Sequence, residues 1–382
     1  MSTDNNGGIQ RPDGKVNPID TDYQIGQDNV ALKVGPFGLD IHNRVFAISG
    51  MSIILFVVLT LTFRQQVEPF FAGLRGWLVS NLDWFFLSAG NVFVVVCLIL
   101  IVTPLGRVRI GGTEATPDYT YAGWLAMLFA AGMGIGLVFF GVSEPMSHFS
   151  AALGGVNVEN GVRTDWAPLG AAEGDTSAAS ALGMAATIYH WALHPWSIYA
   201  LLALGLAIFS FNKGLPLTMR SIFYPLFGER VWGWTGHIID ILAVVATVFG
   251  LATSLGYGAS QAATGLNFLF GVPMTDMTQV VIIVIITALA LISVVAGLDS
   301  GVKRLSEINM GLAALLLLFV IVVGPTLAIM TGFFENIMSY LANVPALSMP
   351  FGREDVNYSQ GWTAFYWAWW ISWSPFVGMF IA

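Results

Sequence analysis

Eight stretches of the chain run for about 20 residues with almost no polar interruption, the length that one helical crossing of a bilayer requires. They fall at about 45–63, 84–103, 121–143, 180–211, 237–269, 276–297, 308–334 and 361–382. Apolar residues are continuous within each stretch and do not alternate, which predicts helices and argues against a closed β-barrel. The fourth and fifth stretches exceed one crossing, which predicts tilt or emergence into water. Polar connectors separate the stretches, notably 104–118, 146–178, 212–234 and 298–307. Residues 1–44 are rich in Asp, Asn, Gly and Pro, with no apolar core after a basic start. They read as a mostly flexible tail and not as a secretory signal. Its end, 35–44, is more ordered in character and is expected on the membrane surface.

Composition narrows the picture to a multi-span membrane protein. Of 382 residues 56% are apolar and 10% charged, against roughly 25% charged in soluble domains. Mean hydropathy is +0.73. The net charge of −8 gives no basic footprint for nucleic acid. A single cysteine, Cys97, rules out an internal disulfide or a cysteine metal cage. Of the Lys and Arg residues, 11 lie on the tail's side of the membrane and 4 on the other. The N-terminus is therefore expected in the cytoplasm. With eight spans the chain ends on that same side. The last stretch closes at Phe380-Ile-Ala382 without a charged stop, so the chain is expected to be a fragment of a longer protein.

Four constellations offer chemistry. In Ala130-Ala-Gly-Met-Gly-Ile-Gly136 the glycines Gly132, Gly134 and Gly136 alternate inside a span and form no single helical stripe. Glycine costs about 1 kcal/mol against alanine in a helix, so the run reads either as close helix packing or as an unwound stretch. Unwound backbone could hold a cation on carbonyls or a carboxylate on N–H groups. Glu144 and Pro145 are expected to mark the extracellular end of this span. Second, Tyr366, Trp369, Trp370, Trp373, Phe376 and Val377 make one stripe along a helix. Interfacial belts use tryptophan, but three within five residues ahead of Pro375 also suit a quaternary ammonium receptor through cation–π attraction. Third, Tyr189-His-Trp-Ala-Leu-His-Pro-Trp-Ser-Ile-Tyr199 places Trp196 and Tyr199 on one face, and Pro195 can loosen the turn that separates Trp191 from them. His190 and His194 are spaced i, i+4, but neither carboxylate nor cysteine accompanies them, so a metal is not expected. Fourth, Thr247, Thr253 and Ser254 offer hydroxyls either to their own helix carbonyls or to a hard monovalent cation. Walker A, Gly-x-Ser-x-Gly and metalloprotease motifs are missing, and Ser143-Glu144 and Asp299-Ser300 make no triad, so an enzyme is a weak reading.

Gly-Met-Gly-Ile-Gly, His-Trp-x-Leu-His-Pro-Trp-x-Ile-Tyr and Trp-x-Trp-Trp-Ile-Ser-Trp-Ser-Pro-Phe occur together and in order, and from about residue 35 onward the chain resembles the betaine/choline/carnitine transporter family. The resemblance implies an all-α integral membrane protein with a LeuT-type core of two inverted five-helix repeats. Here 1–44 would be the cytoplasmic tail, 45–103 two peripheral helices and 104–334 the first repeat. An extracellular amphipathic connector would follow at 335–360, then the first helix of the second repeat at 361–382, truncated after about eight spans. Its stripe is Ile337, Tyr340, Leu341 and Val344.

Carried over position by position, the resemblance gives an ammonium cage of Trp191, Trp196, Tyr199 and Trp370, with Trp369 and Trp373 beside it, and Gly134 and Gly136 in the same site. Ser254 would lie near a substrate carboxylate. One sodium site would use carbonyls of Ala130 and Met133; a second would use Thr247, Phe376 and a further threonine, which is Leu251 here. Gly136 stands where proton-coupled choline carriers tend to have aspartate, which favours a zwitterion such as glycine betaine over choline. The implied function is import of a compatible solute coupled to sodium, across the bacterial cytoplasmic (inner) membrane, by a homotrimer without a cofactor. The alternatives are a proton-coupled choline or carnitine carrier, or a fragment that does not transport.

Overall fold

The computed structural model describes residues 14–34, 37–132, 134–297 and 301–382. Strands β1 (Asn29–Val34) and β2 (Phe37–His42) form an antiparallel hairpin with Asn29 opposite His42 and Leu32 opposite Leu39. This corrects the flexible tail over 14–34, while the order expected near 35–44 is present at 37–44. Asn17 and Ile19 donate backbone N–H groups to the carbonyls of Asn212 and Lys213 at 3.0 and 2.9 Å. Tyr23 stacks on Trp232 with centroids 4.2 Å apart. Buried Arg220 ties the hairpin down, with Nε 2.5 Å from Asp240 and one terminal nitrogen 2.9 Å from His42. The tail's polar residues are thus paired through contacts nearly 200 positions away, which composition does not reveal.

Helices α1 (Asn43–Thr62), α2 (Arg64–Asn81) and α3 (Asp83–Val102) follow, with α2 too polar to cross. The third predicted span divides into α4 (Tyr121–Gly132) and α5 (Ile135–Gly154), whose axes differ by 56°. A two-residue hairpin pairs β3 (Val158–Glu159) with β4 (Val162–Arg163). The fourth span is α6 (Thr176–Trp191) and α7 (Leu193–Ala207), extended by a π-helical turn at Ile208–Asn212. Short helices α8 (Met219–Ile222) and α9 (Tyr224–Phe227) lead to the 37-residue α10 (Trp234–Phe270). Then come α11 (Asp276–Ala296), α12 (Lys303–Val323), α13 (Thr326–Leu347), the short α14 (Val356–Tyr358), a π-helical turn at Ser359–Ala364 and α15 (Phe365–Ile381).

Among the described residues, six helices are long and apolar enough to cross a membrane, seven if the bent α4–α5 pair is one span. The expected eighth, at 361–382, is helical but its α-helical part has 17 residues. The seventh predicted span, 308–334, ends early at Val323, because Gly324 and Pro325 interrupt it and Pro325 starts a new helix. The first half of the proposed surface connector therefore belongs to α13, which packs along α6 and is pinned by Ser339 Oγ donating to the Ala181 carbonyl at 2.9 Å. The amphipathic stripe splits accordingly: Tyr340 is buried and Val344 packs on the core, while Leu341 stays exposed.

The core joins α3, α6, α7, α13 and α15 around Leu87, Ala186, Tyr189, Tyr358, Trp367 and Trp370. Only Ser293 is buried on α11, and its Val and Leu side chains face outward, as a lipid-facing helix requires. The connector 155–175 is clamped to 353–355: Arg163 pairs with Asp165 at 2.8 Å, and Asp355 accepts from the Leu169 N–H and pairs with Arg353. Burial alone would raise the Asp165 pKa, but the Arg163 guanidinium and the N–H groups of Asn157 and Ala167 outweigh it and hold it at about 2.

Candidate functional site

The glycine run does break its helix. Helix α4 ends at Gly132, and Gly134 takes an extended conformation (φ −97°, ψ 178°) as the N-cap of α5. At the end of α4 only glycine fits, because a Cβ at residue 132 would penetrate the ring of Trp196 on α7. Gly136 differs, since a Cβ there would meet only the ring edges of Trp191 and Trp369, at 3.5 and 3.7 Å. Glu144 and Pro145 do not end the span as expected; α5 continues to Gly154 with Pro145 inside it.

The chain also breaks at Ala192 (φ −103°, ψ −111°), between α6 and α7. Pro195 has no N–H to offer the carbonyl four residues back, and its ring crowds that carbonyl, so a continuous helix is costly here. The break turns Trp191 onto the same cavity as Trp196 and Tyr199. Helix α15 supplies the other wall. Trp191 meets Trp370 edge to face at 4.9 Å, Tyr199 meets Trp370 at 6.2 Å, and Trp196 meets Tyr199 at 5.9 Å. Trp369 stacks on Trp370 with centroids 4.9 Å apart and planes 14° apart. Trp373 covers Gly250 of α10, where a side chain would collide with the indole.

The cavity these rings enclose measures about 610 Å³, within the range of small-molecule sites. It brings together Trp191, Trp196, Tyr199, Trp369, Trp370, Trp373, Ser254, Gly134, Gly136, Ala130 and Phe376. Thr247 is not among the lining residues, and its hydroxyl donates to Ala243 O at 2.8 Å within its own helix, as Thr253 does to Phe249 O. Leu251 lines the wall in place of a hydroxyl. Met133 lies outside the described residues, as do Asp299 and Ser300. Ser293, Ser306 and Asn309 add polar atoms that the sequence motifs did not single out. No charged side chain lines the cavity among the described residues.

A layer of rings closes one end. Phe140 lies 5.5 Å from Tyr257, 5.9 Å from Tyr366 and 6.1 Å from both Trp191 and Trp369. Beyond it is a second cavity of about 520 Å³ bordered by Arg75, His148 and Trp362. The other end reaches Val302 and, on α12, Leu305 and Asn309.

His190 and His194 do not act as a pair. His194 Nε2 lies 3.0 Å from Asn91 Oδ1, whereas His190 sits with Glu144 and His148 in a fully buried group. The expectation that no carboxylate accompanies His190 is therefore corrected: Glu144 reaches it from another helix, 46 positions away. The missed signal was a carboxylate at membrane depth, which is functional or paired by default.

The sequence profile of the betaine/carnitine/choline family of transporters matches residues 44–382. The whole chain is 92% identical to a glycine betaine/proline/choline transporter of Vibrio parahaemolyticus and spans 69% of that protein. It is 52% identical over 365 residues to glycine betaine transporter 1 of the same species, with 95% of this chain matched to 66% of the relative. The glycine betaine transporter OpuD of Bacillus subtilis is 44% identical over 311 residues, which are 81% of this chain and 58% of that protein.

Proposed function

Since the chain belongs to the betaine/carnitine/choline transporter family, we propose that it serves as a secondary carrier importing a quaternary-ammonium compatible solute, glycine betaine first, with sodium as the coupling ion. The observation that carries this reading is a cavity walled by indoles from three separate helices, α6, α7 and α15, and lined by no charged side chain among the described residues. A quaternary ammonium cannot donate a hydrogen bond, so ring faces are its natural partners. A zwitterion carries its own carboxylate and does not need one from the wall. Proline, named for the 92% identical relative, shares that charge pattern, whereas choline, also named there, does not. Ser254 and the N–H groups at the start of α5 are the groups for the carboxylate.

Sodium would use the carbonyls around Ala130 and Met133, with Thr247 and Phe376 at a second position where Leu251 removes one hydroxyl. A monovalent cation entering down roughly 100 mV supplies about 2.3 kcal/mol before any concentration term. The reading includes the LeuT-type inverted repeat, alternating access around the cavity, and a cytoplasmic-membrane location with the N-terminus inside. Uptake of labelled betaine, proline, choline, carnitine and ectoine by proteoliposomes of the full-length gene product tests it. Betaine uptake that follows an imposed sodium gradient is expected. Uptake driven by a proton gradient alone would make it a proton-coupled carrier, and no uptake of any of these would overturn the reading.

The assembly is proposed as a homotrimer, with α13 contributing to the contact. Its outward positions include Met338 and Leu341, 65% and 55% exposed, and not the core-packed Val344 of the sequence stripe. Glutamate at both outward positions should give monomers by light scattering in detergent. A trimer that survives both changes removes α13 from the interface.

A further inference from the structure

Glu144 has no exposure to solvent, and a buried carboxylate is costly unless donors surround it. Four groups do. His190 Nδ1 and His148 Nε2 lie 2.5 and 3.2 Å from Oε1. Trp191 Nε1 and the Tyr366 hydroxyl each donate to Oε2 at 2.7 Å. A carboxylate has about four lone-pair sites, and all are taken. Glu144, His148 and His190 are close enough to hold a metal ion, but these bonds already use both oxygens, so the cluster is a hydrogen-bond hub. His190 extends it: Nε2 lies 2.9 Å from Thr363 Oγ1, and its carbonyl accepts from Trp370 Nε1 at 3.0 Å.

We infer that Glu144 is the positioning residue of the aromatic cage. Its carboxylate, with His190 as intermediary, fixes Trp191 of α6 and Tyr366 and Trp370 of α15 relative to one another. The inference rests on the cage reading given under the proposed function. An indole's N–H edge and its π-face are rigidly related, so anchoring Nε1 on Glu144 sets the direction in which the Trp191 face points into the cavity. Without an acceptor, a buried N–H and a buried O–H would be left unpaired, and the rings would turn to find other partners. Glu144 itself is absent from the cavity lining, so it acts through the rings and not on the solute.

The test is equilibrium binding of labelled betaine to the purified full-length gene product by scintillation proximity. Glu144→Met keeps a side chain of similar length but makes it apolar and removes the acceptor; it should weaken binding on the order of tenfold or more. Glu144→Gln keeps one acceptor oxygen for Trp191 and Tyr366 while His190 offers its other tautomer to the amide, and should return to within about threefold of the parent. A packing role predicts the opposite order, because methionine suits an apolar site better than glutamine. Tyr366→Phe removes one donor, leaves every ring in place and should fold like the parent, with binding weaker by about threefold. It decides the matter if Glu144→Met does not fold. Parent-like binding in a folded Glu144→Met or in Tyr366→Phe, or glutamine no better than methionine, overturns the inference. Trp370→Leu in the same assay separates the two ideas. If it also binds like the parent, the cage reading has failed; if it loses binding while Glu144→Met keeps it, only the positioning role has.

Discussion

Trp370→Leu and Trp196→Leu should each weaken betaine binding on the order of 30-fold, the equivalent of about 2 kcal/mol for one desolvated cation–π contact. The two indoles reach the cavity from different walls. Trp370 is 6% exposed and is held from both sides, edge-on by Trp191 and face-on by Trp369. Trp196 is 38% exposed, with its ring against Gly132 at the end of α4. Leucine keeps an apolar surface of comparable reach and discards the π-face, so the loss reports the ring electrons more than the burial. Trp370→Leu also leaves the His190 carbonyl without its donor, so the larger loss of the two is expected there. Trp196→Leu opens space beside Gly132 and should leave insertion and detergent stability unchanged. Binding titrations of both variants check this, with size-exclusion profiles to show that the fold persists. Parent-like dissociation constants in both would mean that the solute sits away from these rings.

The site was more legible than the path of the chain around it. Glycines at 132, 134 and 136 announce a helix break because no single helical face explains them, and the break is there. The aromatic stripe on 366–377 is a local periodicity, readable from sequence, and its rings do line the cavity. The break at Ala192 was only half visible: Pro195 marks trouble in the turn, but the position of the break depends on packing against α15. The boundary between α12 and α13 was misjudged because hydropathy runs straight through Gly324 and Pro325, and backbone chemistry, not hydropathy, ends a helix there. The docking of the N-terminal segment could not be read beyond the ordered character of its end at 35–44. Its partners Arg220, Asp240 and Trp232 lie far along the chain, and a polar segment gains order only through such contacts. Glu144 falls between these cases. A lone carboxylate after an apolar run looks like the end of a span until four donors reach it, one from the next turn of its own helix, two from α6 and one from α15.

Gly136→Asp should raise the ratio of choline uptake to betaine uptake at least about tenfold, since a fixed carboxylate rewards a ligand that brings no anion of its own. The geometry permits the change. A Cβ at 136 would stand 3.5 Å from the Trp191 ring and 3.7 Å from that of Trp369, ordinary van der Waals contact, and nothing closer obstructs it. The carboxylate then lies beside the rings proposed to receive the ammonium. At about 4 Å, with an effective dielectric constant near 20, the attraction is about 4 kcal/mol, and the cost of drying the carboxylate offsets part of it. For betaine, with its carboxylate at the proposed Ser254 position, the same group would meet a like charge, and the repulsion would subtract from binding. An empty cavity would leave the new charge unpaired, so the variant should take up a proton before choline arrives, and its choline uptake should depend on pH more than the parent's does. Uptake of both labelled solutes, with the pH and the sodium gradient varied independently, reads each part. An unchanged choline-to-betaine ratio in a folded, transporting variant would show that residue 136 does not face the solute, whatever rings surround it.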